Sequence, residues 1–228
     1  MNFVVLGASR GLGYSLTQTL LMHNHRVVAS VRAVDETLDD LKGRYPESLH
    51  ITIADITDET AMEACAAAAS DYLGAIDAVC VSAGIIADSD RDHLLHESMI
   101  EDVRRTFDVN VIGPIIAAKV FTPRMKDGGS IFVATSEDVH LSNVGSWIPA
   151  YGLSKTAATK VCGVLNASVP QVNYYAVHPG RMNTDMGRTT AQIEPEESAE
   201  GFRQLMDGSL PTHRNNWYID YMGNVLEL

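Results

Sequence analysis

Short apolar runs alternate with longer segments of helical period along almost the whole chain. The runs are rich in Val, Ile and Ala and have the length of strands. Such alternation is typical of a parallel sheet covered by helices on both faces. It predicts an α/β fold with a doubly wound parallel sheet of about seven strands. The predicted strands cover residues 2–6, 26–31, 49–53, 76–81, 130–135, 172–177 and 216–220.

The segments between these runs carry the helical period. Thr57 or Asp58 is the expected N-cap of the third helix. No repeat, low-complexity tract or linker composition divides the chain, so residues 1–228 are expected to form a single domain. The predicted helices cover residues 12–23, 35–43, 58–73, 98–125, 150–167 and 196–207.

The composition limits the partners and the compartment. With 29 acidic and 17 basic residues, the net charge of −12 argues against binding to nucleic acid or to anionic membranes. The three cysteines are far apart and lack metal-ligand spacing, which favours a reducing, cytoplasmic setting and no bound metal. The N-terminal apolar run is too short for a signal peptide, and no stretch approaches the roughly 20 apolar residues of a membrane span. We therefore expect a protein that is neither exported nor embedded in a membrane.

A glycine-rich turn, Gly7-Ala-Ser-Arg-Gly-Leu-Gly13, follows the first predicted strand and opens the first helix. Glycines permit a close approach of the backbone, and a helix N-terminus presents free amide groups to an anionic pyrophosphate. Any tight strand-to-helix turn can need a glycine, but three glycines in this context favour a dinucleotide site. The chain is thus expected to form a single-domain Rossmann fold.

The spacing of this turn and the motifs that follow it resemble those of the short-chain dehydrogenase/reductase family. The resemblance extends over nearly the whole chain, and the loop before Tyr151 is similar to that of the family's small NADPH-dependent carbonyl reductases. The further motifs, in order, are Ala54-Asp55-Ile56, Ala83-Gly84, Asp108-Val-Asn110-Val, Ser136, Tyr151-Gly-Leu-Ser-Lys155, Pro179-Gly180 and Thr184.

Tyr151 and Lys155 are four residues apart on a predicted helix, so they project from the same face. A nearby ammonium favours the phenolate and lowers the pKa of tyrosine, which makes Tyr151 a usable acid/base. The resemblance implies that Tyr151 exchanges a proton with a carbonyl or alcohol oxygen, that Lys155 also bonds the nicotinamide ribose, and that Ser136 positions the oxygen. It implies that Asn110 holds a water linking Lys155 to solvent. The alternative for Asn110 is a bond to its own helix backbone.

Other polar side chains near the strand ends are weaker candidates. Position at the strand end favours Ser136 over its neighbours. His140 and His178 are expected to pack or to form hydrogen bonds, because the Tyr/Lys pair already provides the acid/base. The neighbours that could replace Ser136 are Thr135, Ser142 and Ser146.

The end of the second predicted strand indicates the cofactor. NAD-specific folds of this kind place an acid there for the ribose 2′-hydroxyl, whereas this chain has Val28-Ala-Ser-Val-Arg32. Arg32 and Arg10 can bind a 2′-phosphate through their guanidinium groups, so NADP(H) is favoured over NAD(H). The alternative is that both arginines are solvated surface charges. The resemblance implies cofactor contacts at Gly7, Ser9, Arg10, Gly11, Leu12, Gly13, Arg32, Asp55, Ile56, Ala83, Gly84, Pro179, Gly180 and Thr184.

Two positions in the first and fourth strands depart from the family pattern. Leu6 stands where many members have threonine, and Val81-Ser82 stands where many have two asparagines. Such polar groups usually bond one another across neighbouring strands. Their joint loss is therefore expected to leave no unpaired partner and to preserve cofactor binding.

Two segments are expected to border the substrate. Trp147 and Ile148 are candidates for the pocket wall, unless their loop simply packs on the surface. Residues 181–200 correspond to the family's substrate lid, and a short, polar lid favours an open or shallow pocket over one that encloses a long acyl chain or a steroid. The polar residues of this lid are Arg188, Thr189, Thr190 and Gln192.

Together these features predict an NADPH-dependent oxidoreductase that reduces a carbonyl of a small molecule to an alcohol, or catalyses the reverse. The alternative is an NADP(H)-sensing regulatory protein with the same fold, which would not need all four proposed catalytic residues. Many family members associate through the helices predicted here at 98–125 and 150–167, so a homodimer or homotetramer is expected, with a monomer as the alternative.

Overall fold

In the computed structural model, the described residues are 1–137, 139, 147–187 and 191–228. Their strands are β1 (Asn2–Leu6), β2 (Arg26–Val31), β3 (Leu49–Ile53), β4 (Ile76–Val81), β5 (Met125–Ala134), β6 (Asn173–His178) and β7 (Tyr218–Asp220). All seven are parallel neighbours in one sheet of order β3-β2-β1-β4-β5-β6-β7. This order confirms the predicted doubly wound sheet, which reverses direction between β1 and β4.

The bounds of the first four strands agree with the prediction, β6 is shifted by one residue, and β5 and β7 differ more. β5 begins at Met125 instead of residue 130, because Met125 pairs with Ile76 before a register shift. Continuous pairing with β4 starts only at Ser130, two residues after Gly128, which has a φ of +80°. β7 is confined to three residues at the edge of the sheet.

Eight α-helices lie within the described residues, and none of them has both the length and the apolar character needed to cross a membrane. The helices are α1 (Gly11–Met22), α2 (Glu36–Arg44), α3 (Glu59–Leu73), α4 (Asp88–Asp92), α5 (Ile100–Phe107), α6 (Gly113–Phe121), α7 (Pro149–Ser168) and α8 (Pro195–Asp207).

The segment predicted as one helix over residues 98–125 is helical from Ile100 to Arg124, but it is not one uniform α-helix. A π-helical turn, Asp108–Ile112, separates α5 from α6, and a 3₁₀ turn follows at Thr122–Arg124. A π turn takes an additional residue and is common where a side chain must be turned toward a site. Here the turn contains Asn110, whose side chain bonds a neighbouring loop. The short helix α4 was not predicted, because its five residues carry no apolar period.

Two apolar clusters hold the layers together, one on each face of the sheet. Side chains of α1, α2 and α8 pack on one face, and those of α3, α6 and α7 pack on the other. Helix α3 is capped by Asp58, which accepts the Ala61 N–H at 3.0 Å. The other predicted cap, Thr57, bonds Asp55 instead.

The carboxyl ends of β1 and β4 meet in a crowded contact. The Ser82 hydroxyl donates to the carbonyl of Leu6 at 2.9 Å and to that of Gly7 at 3.2 Å. Ser82 therefore keeps a polar bond between these strands, to the β1 backbone instead of to a side chain, and its hydroxyl is not left unpaired. Gly7 has a φ of +89°, and a side chain there would meet the Ala83 backbone at 2.7 Å. The turn depends on residues without a Cβ.

We predict that Gly13→Ala disrupts this contact. The added Cβ would lie 2.5 Å from Ser82 Oγ and closer still to the Gly7 carbonyl oxygen. Since backbone must move to relieve the overlap, the free energy of unfolding should fall by about 1–3 kcal/mol in urea titrations.

Gly43→Ala in α2 is the matched control, because a Cβ added there would meet no heavy atom within 4 Å. It should leave stability unchanged or raise it by about 0.5–1 kcal/mol. Equal stability of the two variants would contradict the packing argument.

Candidate active site

A cleft of about 1280 Å³ opens at the carboxyl ends of the strands, over the point where the sheet reverses direction. Every predicted site residue except Asn110 lines it, and Asn110 is 1% exposed behind the wall. The predicted residues that line the cleft are Gly7, Ser9, Arg10, Gly11, Leu12, Gly13, Arg32, Asp55, Ile56, Ala83, Gly84, Ser136, Tyr151, Lys155, Pro179, Gly180 and Thr184.

The N-terminus of α1 faces this cleft through the glycine turn. The residue before the helix, Arg10, forms no side-chain cap, and the first turn contains no acidic residue. Gly11 has a φ of +54°, which an L side chain rarely adopts. An uncapped helix N-terminus carries partial positive charge and free amide groups. The turn therefore fits the pyrophosphate of a dinucleotide.

Lys155 is buried beside Tyr151. Its side chain projects from α7, and Nζ donates to the Ala134 carbonyl at 2.8 Å and lies 5.5 Å from the centroid of the Tyr151 ring. Burial lowers the pKa of Lys155 to about 8. The predicted proximity of the two side chains on one helix face is present in the structure.

Because Gly84 has no side chain, the side chains of Lys155 and Asn110 can both lie close to its backbone. A Cβ on Gly84 would lie 3.2 Å from Lys155 Nζ and 3.3 Å from Asn110 Oδ1. The Asn110 side chain accepts the Ile85 N–H at 2.9 Å and donates to the Ile85 carbonyl at 2.9 Å. The alternative that Asn110 bonds its own helix is therefore wrong, because the π turn directs it to a loop 25 residues away.

Ser154 connects Asn110 to the backbone of Tyr151, and sequence reasoning missed it. Asn110 Nδ2 donates to Ser154 Oγ at 2.9 Å, and that hydroxyl donates to the Tyr151 carbonyl at 2.7 Å. Ser154 is fully buried. Its place within the Y-x-x-x-K motif was the available signal, but an interior helix serine commonly bonds the preceding turn.

Ser136 lines the cleft just beyond β5. Its carbonyl accepts the Tyr218 hydroxyl at 2.9 Å, which ties this loop to β7. The neighbouring Thr135 is 2% exposed and is less accessible to a ligand. The two serines considered in place of Ser136, Ser142 and Ser146, lie outside the described residues, as does His140.

Charged side chains stand near Ser136. Glu137 pairs with Arg181, and its Oε2 lies 3.9 Å from His178 Nε2. Trp147 and Ile148 also line the cleft, so the apolar side chains expected in its wall are present. Sequence reasoning missed Glu137 and Arg181, because a solvated charge beside a strand end has no distinctive pattern.

The carboxyl group of Asp55 lies at another part of the cleft, and its pKa is lowered by its neighbours. The Thr57 N–H and hydroxyl lower the pKa of Asp55, and the charges of Arg32 and Arg105 lower it further. Arg105 lines the cleft but was not predicted. Its neighbour Arg104 turns outward instead and lies 3.8 Å from Glu101.

The segment predicted as the lid, residues 181–200, overlaps the start of α8. Residues 195–200 belong to α8, because Pro195 starts that helix, and Arg188, Thr189 and Thr190 lie outside the described residues. A parallel bridge joins Met182 to Ile193. Asp185, in the same segment, lies 3.4 Å from Arg10, and both side chains are largely exposed.

The sheet order and the glycine turn at its switch point define a Rossmann-type protein. The family model described as short chain dehydrogenase matches residues 2–195. The chain belongs to this family of oxidoreductases.

Three comparisons illustrate the relationship. The chain is 30% identical over 191 residues to the 1-deoxy-11-beta-hydroxypentalenate dehydrogenase of Streptomyces avermitilis, a match that covers 81% of this chain and 70% of the relative. A carbonyl reductase structure from Pseudomonas aeruginosa superposes with a TM-score of 0.83 at 26% identity and full coverage of both chains. A Burkholderia multivorans protein assigned to the short-chain dehydrogenases/reductases, with bound NADP, has a TM-score of 0.88 at 24% identity, covering 100% of this chain and 99% of its own.

We predict that Lys155→Met stabilises the ligand-free protein. The folded pKa of about 8 lies below the ordinary 10.5, so the folded state binds the proton more weakly than the unfolded chain. In the wild type, burial of the protonated Lys155 lowers the free energy of unfolding by roughly 3 kcal/mol below pH 8, and this destabilisation disappears as the pH rises to 10.5. The variant also loses the hydrogen bond to the Ala134 carbonyl, which reduces its gain in stability by about 1 kcal/mol.

Thermal or urea unfolding between pH 7 and pH 10.5 measures this difference. Lys160→Met removes an exposed ammonium from the same helix and should follow the wild-type pH dependence. A Lys155→Met advantage that stays constant or grows with pH would contradict a buried, destabilising charge.

Proposed function

We propose that this protein is an NADP(H)-dependent oxidoreductase that reduces a carbonyl of a small molecule to an alcohol, or catalyses the reverse. The observation that carries the proposal is the buried Lys155 ammonium beside the Tyr151 ring, in the same cleft as the uncapped N-terminus of α1. The bound NADP of the Burkholderia protein and the carbonyl reductase activity named for the Pseudomonas protein support it.

The proposed proton transfer uses Tyr151 as acid/base. The Lys155 ammonium stabilises the phenolate, so the phenol can release its proton to a carbonyl oxygen near neutral pH. The Ser136 hydroxyl bonds the same oxygen and orients it. Bound NADP(H) would supply the hydride for reduction. Asn110 fixes the Gly84–Ile85 backbone against Lys155 and, as proposed from the sequence, holds a water that returns the proton.

Arg32 carries the proposed preference for NADP(H). It lines the cleft after β2, where no acid is available to bind a ribose 2′-hydroxyl, and its charge reaches Asp55. Arg105 adds a second positive charge at Asp55, and Arg10 supplies a third in the glycine turn. Guanidinium groups bind phosphate through paired hydrogen bonds, so a 2′-phosphate is the ligand group best matched to this position.

The cellular setting is also part of the proposal. Cys65, Cys80 and Cys162 are buried free thiols, which suit a reducing compartment such as the cytoplasm. Association into a homodimer or homotetramer is supported by exposed apolar side chains, Ile112 and Ile115 near the start of α6 and Leu153 and Val164 on α7.

Tyr151→Phe should reduce kcat about 10²- to 10⁴-fold and leave NADPH affinity within about two-fold, because only the transferable proton is removed. The assay follows oxidation of NADPH with a panel of aldehydes, ketones, diketones and quinones. Tyr72→Phe is the matched control: it loses a hydroxyl bond to the Glu47 carbonyl, away from the cleft.

Full activity of Tyr151→Phe would refute the assigned acid/base. Tight binding of NADPH by the wild-type protein without turnover of any compound would instead favour the NADP(H)-sensing alternative.

Arg32→Asp should weaken NADPH binding about 10- to 100-fold and change NADH binding far less, since only NADPH loses a charge-assisted bond. Arg44→Asp is a matched control with the same charge change on α2, outside the cleft. Fluorescence titration with both cofactors measures the ratio. An equal loss for NADPH and NADH would eliminate the 2′-phosphate contact.

A further inference from the structure

Helix α7 begins without a local cap. The first amide groups of a helix need acceptors outside it, which a polar N-cap side chain commonly supplies. The N-cap position of α7 is Ile148, which has no acceptor in its side chain, and Pro149 has no N–H. The amides of Ala150 and Tyr151 are therefore the ones that need partners. Elsewhere the chain does use local caps, as at Asp35 for α2 and Asp58 for α3.

Asp90 provides the missing acceptors from α4, 60 residues earlier in the chain. Its Oδ1 accepts the Ala150 N–H at 2.9 Å, and its Oδ2 accepts the Tyr151 N–H at 2.9 Å. The residue is only 2% exposed. A carboxylate at a helix N-terminus also interacts favourably with the helix dipole. Both oxygens are used, so the start of α7 is held in one orientation relative to α4.

Ile148 has a strained backbone at this junction. Its φ is +48°, a left-handed conformation that a β-branched side chain rarely adopts. Such conformations persist where the surrounding structure enforces them, and they are concentrated at functional sites. Ile148 is buried and lines the cleft. The strained turn and the remote cap together determine where α7 begins.

Helix α4 also contacts the segment that follows β6. Arg91, the residue after Asp90, donates through Nη2 to the Met186 carbonyl at 2.9 Å. Met186 lies in the segment after β6 and lines the cleft. Two consecutive residues of α4 therefore connect the helix that carries Tyr151 with the segment predicted as the lid.

We propose that Asp90 is a positioning residue that sets the Tyr151 phenol relative to Lys155 and the substrate oxygen. This inference rests on the proposed function. Asp90 acts through the backbone of α7, because one of its two bonds is to the amide of Tyr151 itself. Displacement of a catalytic group by about 1 Å can reduce a rate about 100-fold without a comparable loss of ligand binding.

The test compares Asp90→Asn, Asp90→Glu and the wild-type protein. Asparagine keeps one acceptor and turns an NH₂ group toward the second amide. Glutamate keeps the charge and both acceptors but moves them by about one bond length, so it decides the question if Asp90→Asn does not fold. Both variants should lower kcat about 10-fold or more and leave KM and the Kd of NADPH within about two-fold.

Asp35→Asn is the matched control, because Asp35 caps α2 by accepting the Leu38 N–H at 2.9 Å, outside the cleft. It should lower stability slightly and leave kcat unchanged. Values of kcat near wild type in the folded Asp90 variants, or parallel losses in kcat and NADPH affinity, would overturn the proposal.

A second measurement does not depend on turnover. Amide hydrogen exchange followed by NMR should show faster exchange at Ala150 and Tyr151 in Asp90→Asn than in the wild type. Unchanged protection at both amides would overturn the assigned bonds. A wild-type protein that reduces no compound would refute the proposed function, whereas an active wild type with equally active Asp90 variants would refute only the role of Asp90.

Discussion

Burial of the Lys155 ammonium is the interaction on which the arrangement of the cleft depends. An ammonium taken out of water is costly unless fixed partners replace its hydration. The Ala134 carbonyl at the end of β5 is one such partner, at 2.8 Å, and the missing side chain of Gly84 leaves space for Nζ. A shift of α7 along the sheet would leave the charge buried without its acceptor. The position of α7 relative to the carboxyl ends of β4 and β5 is therefore fixed.

Both ends of α7 are held by charged side chains from distant parts of the chain. Asp90 accepts amide bonds at the N-terminus. At the C-terminus, Arg214 donates to the carbonyls of Val169 and Val172 at 2.8 Å each, and to that of Asn166. A negative group at the start and a positive group at the end complement the helix dipole. The position of the proposed catalytic pair is thus set by contacts across the fold and only partly by the sequence of the helix.

The sheet and the glycine turn could be predicted because their signals are local. Apolar runs, glycines and the N-cap Asp58 are visible within a few residues. The remaining features depend on contacts between distant segments. Arg104 and Arg105 are adjacent and identical in type, yet only tertiary packing places the second in the cleft. The π turn at Asn110 likewise follows from its bonds to a loop, and Asp90 has no signal in a short polar stretch.

The unpaired backbone amide groups at the N-termini of α1 and α7 are treated differently in this fold. The first amide groups of each helix have no partner within the helix, and each needs an acceptor outside it. At α7 the internal carboxylate of Asp90 occupies these amides, so they do not attract a negatively charged ligand. At α1 no side chain among the described residues caps the helix, and its glycines allow close approach. The two helix starts therefore differ: the amides at the start of α1 can interact with an anionic group, whereas those at the start of α7 already have a carboxylate partner.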